Sequence, residues 1–261
     1  MTEFSTVIAS LCADGEDWLV NPGDDWRQGR TLFGGLSAAL CLAACERAVP
    51  DLPPLRAAQI GFIGPSAGEA RLAPRLVRRG KSVTFMGCDL IAGGAVATRA
   101  LFAFGAPRPS SHHDSAPSAP PVARPQDCPP LFGERRPTFT QHLDQRFAGG
   151  NRLMSGADKG DLLVWVRHVD PEPGYGMAAL IALGDALPPA SMPRLTGPAA
   201  ISTMTWSFDL MAPDRITPGG WYLLRSTDDA VGAGYAGQMM GLWDEQGSPV
   251  LIGRQSVAIF A

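Results

Sequence analysis

A chain of 261 residues, 45% of them hydrophobic, can bury one large core or two small ones. Its net charge is −3, from 22 Lys and Arg against 25 Asp and Glu, and no basic cluster offers a nucleic-acid footprint. The five cysteines (Cys12, Cys41, Cys45, Cys88 and Cys128) have no metal-finger spacing, so free thiols in a reducing cytoplasm and no bound metal are expected.

The opening MTEFSTVIASL lacks a cationic start and a long apolar run, so no signal peptide is expected. No segment holds the ~18 apolar residues of a membrane span. A soluble cytoplasmic protein without a membrane partner is the expectation. DWLVNP (17–22) reads as a first strand. FGGLSAALCLAACERAV (33–49) has helical character after a Gly-rich start. Four strand-like runs follow at 55–65, 69–80, 82–92 and 95–104, and the AGG turn (92–94) joins the last two as a hairpin.

Residues 106–137 are crowded with Pro, Ser and Ala, which rules out a helix or a central strand. They read as a surface linker. His112 and His113 lie within it and read as solvent-exposed rather than as metal ligands.

Beyond the linker the order repeats. DLLVWVRHV (161–169) reads as a first strand and YGMAALIALGDALP (175–188) as a helix. Strand-like runs follow at 200–213, 221–229, 233–244 and 249–260, with DEQGS (244–248) turning the last pair into a hairpin. Gly34 matches Gly176, Phe62 matches Phe208, Gly80 matches Gly232 and Phe104 matches Phe260, with an offset that grows along the chain. The pattern is a duplicated unit of α+β class, each copy a long helix on an antiparallel sheet. The units are expected at 1–105 and 138–261, with their sheets joined edge to edge.

Duplication allows the halves to be compared. Asp185 falls opposite Ala43, Gln255 opposite Arg99 and Thr205 opposite Gln59. A carboxylate amid aliphatic residues costs several kcal/mol unless it is partnered. Alternation puts Gln255 on the apolar face of its strand, and Thr203 and Thr205 share a face of theirs. Taken singly, each reads as a satisfied buried group. Together a carboxylate, an amide and a hydroxyl can hold a water for attack. Gly34 and Gly35 at a helix start leave bare N–H donors suited to an oxyanion, although a tight turn explains them as well.

At these residues the chain resembles the double hotdog acyl-CoA thioesterases of the bacterial type II and peroxisomal kind. The carriers are FGG, RRGKSVTF (78–85), DALPP, LWDEQGSPVLIGRQ (242–255) and the Pro-rich join. The resemblance covers roughly 15–105 and 160–261. It implies two tandem hotdog units and hydrolysis of acyl-CoA to acid and CoA without a cofactor. It also implies a catalytic Asp, hydroxyl and Gln in the second unit. The Asp and Gln fall on Asp185 and Gln255. Counted back from Phe208, the hydroxyl falls on Ile201, with Ser202 and Thr203 beside it. Thr205 lies where the family has another small polar residue. The CoA phosphates call for cations, and Arg78, Arg79 and Lys81 are the densest basic cluster. Assembly into a homo-oligomer is implied as well. The rival readings are a non-catalytic acyl-CoA-binding protein and a hotdog hydratase, which would need a histidine beside the acid. Outside the linker only His142 and His168 are available.

Overall fold

The computed structural model describes residues 1–112, 117–171, 176–211 and 220–260. His113, the proposed helix start at Tyr175 and the strand end at 212–213 lie outside these residues. The strands are β1 (Cys12–Asp14), β2 (Asp17–Val20), β3 (Arg27–Gln28), β4 (Thr31–Leu32), β5 (Leu55–Phe62), β6 (Ala70–Arg79) and β7 (Val83–Ala92). After them come β8 (Ala95–Gly105), β9 (Leu143–Gly150), β10 (Asp161–His168), β11 (Ala200–Leu210), β12 (Tyr222–Gly232), β13 (Tyr235–Asp244) and β14 (Pro249–Phe260). The α-helices are α1 (Phe4–Ala9), α2 (Gly34–Ala48) and α3 (Met177–Gly184).

Twelve strands form one sheet in the order β1-β2-β6-β7-β8-β5-β11-β14-β13-β12-β10-β9, and β3 pairs with β4 alone. The order reads as a palindrome about the β5–β11 seam. This is the edge-to-edge union of two repeated units. The seam is antiparallel and pairs Ile60 with Trp206, the two residues that the Phe62–Phe208 match makes equivalent. Each therefore meets its own counterpart across the seam. Pairing at the seam removes two exposed edges.

Every residue of α2 from Gly35 to Cys45 is buried. Ala, Gly, Ser and Cys keep the helix thin enough to be surrounded on all sides, the pattern of a fully buried helix. Arg47 in its last turn complements the helix dipole and donates to the carbonyls of Leu11 and Ile8 at 2.7 and 2.6 Å, which fastens α1. Among the described residues α3 is shorter, and it ends at Gly184. Asp185 is thus a C-terminal cap with φ −103°, just outside the helix, and Pro188 and Pro189 prevent further turns. The N-terminal end of α2 lies against the C-terminal end of α3. A β-carbon on Gly35 would stand 2.6 Å from the Ala182 carbonyl oxygen.

One core joins both helices to the inner faces of both half-sheets. A second lies on the outer face of the C-terminal half, where Leu163, Trp165, Leu223 and Trp243 pack under Ala119 and Val122 of the linker. The indoles of Trp165 and Trp243 donate to the Ala123 and Pro117 carbonyls at 2.9 and 2.8 Å. The linker's described part holds one short 3-10 turn, Pro125–Asp127, and a bridge from Pro130 to Arg146. No helix among the described residues is long and apolar enough to cross a membrane.

Two pairings read from the sequence do not survive. Phe104 is 1% exposed and Phe260 69%, so they are not equivalent. Gln255 pairs with Trp206 as Ala100 pairs with Ile60, so its counterpart is Ala100 and not the exposed Arg99. β11 carries a bulge between Thr203 and Thr205, and β5 one between Leu55 and Ala57. Each bulge shifts a register by one residue and turns side chains to the other face.

Candidate active site

The end of α3, the start of α2 and the last strand meet at Asp185. Gln255 Nε2 donates to Asp185 Oδ1 at 2.6 Å. The Gly35 N–H, one of the unpaired donors of the first turn of α2, faces this carboxylate and favours its charged form. Gly34 lets the carboxylate come close: a β-carbon there would stand 2.6 Å from Asp185 Oδ2 and 3.1 Å from the Phe62 ring. Gly184, before the acid, has the Trp206 ring against it, 3.0 Å from where its own β-carbon would be.

Asp185 retains some accessible surface but is otherwise enclosed by protein. Burial pushes its pKa from 3.8 up to about 7, against the opposing pull of Gln255 and the Gly35 N–H. Both of those donors favour the charged form. The result is a carboxylate that exchanges its proton near neutrality, as a general base requires.

Gln255 is 3% exposed and Gln238, across from it on β13, is 1% exposed. Gln238 Nε2 donates to Gln255 Oε1 at 2.7 Å, and the Ala190 N–H donates to Gln238 Oε1 at 2.8 Å. Sequence reasoning missed Gln238. The signal that marked Gln255 was present there too, a lone amide in the alternating buried row Ala236, Gln238, Met240, Leu242.

The hydroxyls separate at the bulge. Thr205 is opposite the outward Ser256 and is exposed, as is Ser202. Thr203 is half-buried and opposite Val257, which shares the inner face with Gln255. Gly61 pairs with Thr205, so Phe62, whose ring reaches Gly34, follows at the level of the bulge. Arg78, Arg79 and Lys81 are exposed around the β6–β7 hairpin, and Arg79 is paired with Asp51 at 2.9 Å. None of the three acts on Asp185, whose influences are burial, Gln255 and Gly35.

The model of an acyl-CoA thioesterase N-terminal domain matches residues 22–105, and that of an acyl-CoA thioesterase C-terminal domain matches 117–259. The chain belongs to the acyl-CoA thioesterase family. Two solved structures show that this thioesterase-family chain has the double hotdog fold. A protein of unknown function with a hotdog fold from Alicyclobacillus acidocaldarius superposes with a TM-score of 0.90 at 24% identity, covering 99% of this chain and 98% of that one. An acyl-CoA thioesterase II from Mycobacterium marinum superposes at 0.75 with 20% identity, covering 97% of each chain. No curated protein matches the sequence.

Proposed function

We propose that the chain hydrolyses acyl-CoA thioesters to the free acid and CoA. The observation that carries this reading is the 2.6 Å bond from Gln255 to a carboxylate that titrates near neutrality at the start of α2. Family membership supplies the substrate class. The acid, the amide and the hydroxyl are assigned to the C-terminal repeat, 138–261, and the oxyanion donors to the N-terminal repeat, 1–105, with 106–137 as the linker between them.

In this reading Asp185 takes a proton from water while the water oxygen bonds to the thioester carbon. Charge then moves to the carbonyl oxygen, which is assigned to the N–H donors of Gly34 and Gly35. The Gly35 N–H faces the carboxylate at first. Protonation of Asp185 weakens that attraction as the oxygen gains charge, so the donor can be passed on. The C–S bond breaks, and the proton on Asp185 goes to the departing sulfur. Gln255 orients the carboxylate and the water. The third group is assigned to Thr203, the inward hydroxyl, rather than to Ser202 or Thr205. Arg79 shares its charge with Asp51, so Arg78 and Lys81 are the stronger candidates for the CoA phosphates.

A hydratase reading needs a histidine beside the acid. His142 stacks on Trp26 with ring centroids 3.8 Å apart, and His168 Nε2 is bonded to the Ala179 carbonyl at 2.9 Å. Neither contributes to the titration of Asp185.

The test is CoA release, followed with a thiol-trapping reagent, over acyl-CoAs from acetyl to palmitoyl. Release should be seen and should fall by about a hundredfold or more in Asp185→Asn, the scale of general-base catalysis. Saturable binding without release would make the chain a binding protein. Full activity in Asp185→Asn would make the acid structural.

A further inference from the structure

We propose that Gln238 is a positioning residue that fixes which end of the Gln255 amide faces Asp185. This inference rests on the reading of Asp185 as the base.

The argument starts from a donor that cannot reverse. A main-chain N–H only donates, so the Ala190 N–H must meet the oxygen of the Gln238 amide. The nitrogen of Gln238 then faces Gln255, and it too can only donate. That holds Gln255 by its oxygen and turns its nitrogen to Asp185. Three hydrogen bonds of 2.8, 2.7 and 2.6 Å run in one direction from Ala190 to the acid. An unsupported glutamine amide can rotate and present either end, because oxygen and nitrogen occupy nearly the same space. Reversed, Gln255 would set a carbonyl against the carboxylate and favour its protonated form. Both amides are buried, so no water competes for them and a broken link leaves an unpaired group.

Ala190 is itself held in place. Its carbonyl lies so close to Gly160 that a β-carbon there would collide with it. The Gly160 N–H donates to Asp228 at 2.9 Å, and Asp228 is ion-paired with Arg194 at the far end of the same segment. The end of the relay that sets its direction is therefore clamped to β12.

The test is Gln238→Met, which keeps length and volume and removes both polar ends. The pH profile of kcat/KM should keep its shape with its acidic limb moved to higher pH. Below that limb kcat should fall by about tenfold or more, the effect of losing one orienting hydrogen bond. KM should stay within about twofold, since Gln238 touches no substrate in this reading. A packing defect alone would lower the rate evenly across pH and leave the limb in place, which would overturn the proposal.

Two measurements need neither turnover nor the variant's catalysis. The 13C titration of the Asp185 carboxyl should move up in Gln238→Met, and an unchanged midpoint would overturn the relay. In the unaltered protein the Gln238 side-chain amide protons should exchange slowly with solvent. Exchange as fast as in free glutamine would overturn it even if the variant failed to fold. If the unaltered protein released no CoA, the thioesterase reading would fall while these two measurements still judged the relay.

Discussion

The Oδ2 atom of Asp185 lies 2.6 Å from the point where a β-carbon on Gly34 would stand, closer than two unbonded heavy atoms tolerate. Alanine at this first position of α2 would add helix propensity worth up to about 1 kcal/mol. It would also push the carboxylate off its place. Gly34→Ala should therefore hold its stability in urea and lose kcat by about tenfold or more, as small displacements of reacting groups do. Its neighbour should behave in the opposite sense. A β-carbon on Gly35 meets the Phe33 ring at 2.5 Å and the Ala182 main chain at 2.6 Å, so the helices must part. Gly35→Ala should lose about 1–3 kcal/mol of stability, the usual scale of overpacking. A Gly34→Ala enzyme with full activity would place the Asp185 carboxylate elsewhere.

Asp185 links stability to pH with a definite sign. Its folded pKa of about 7 stands above the ordinary aspartate value of 3.8, so between these pH values the folded state binds more protons than the unfolded. The contribution of this group is fully present below pH 4 and is lost as pH rises through 7. The loss should reach a few kcal/mol at most, since one pKa unit corresponds to about 1.4 kcal/mol. Asp185→Asn removes the titration. Relative to the natural protein, the variant should gain stability from about pH 4 to about pH 7 and level off above that, while losing hydrolysis. The rate of the natural protein should rise over the same interval as the acid ionises. Parallel melting curves of the two proteins across this range would show that the acid does not titrate there.

The bulge in β11 predicts which hydroxyl matters. Thr203→Val keeps shape and removes the inward hydroxyl, and it should lower kcat by about tenfold to a hundredfold if that group holds the water. Ser202→Ala and Thr205→Val change outward side chains and should leave kcat within about twofold. Equal losses in all three, measured as CoA release at saturating substrate, would remove the face assignment.

Most of the fold could be read from the chain because its signals are periodic. The helix at 33–49 and the strands at 55–65, 69–80, 82–92 and 95–104 lie within a few residues of α2, β5, β6, β7 and β8. β9 was not foreseen: LDQRFAGG has little apolar alternation and serves as a sheet edge. Asp185 was legible as a partnered acid, since aliphatic neighbours leave few alternatives. The face of Thr205 was not, because a bulge inserts one residue without any mark in composition. Nor was Gln238, whose meaning depends on the Ala190 N–H, a main-chain group that every residue but proline carries.

The seam between β5 and β11 has a consequence for how such a site can arise. In a dimer of identical units, symmetry makes each substitution twice, so an acid buried on one side is buried on the other as well. Joining the units in one chain removes that constraint. Asp185 has Ala43 as its sequence counterpart and Gln255 has Ala100, small apolar residues with no desolvation cost to offset. The N-terminal unit can drift toward plain packing at those two positions provided it keeps Gly34 and Gly35 against Asp185 and its edge at Ile60 for Trp206 to meet.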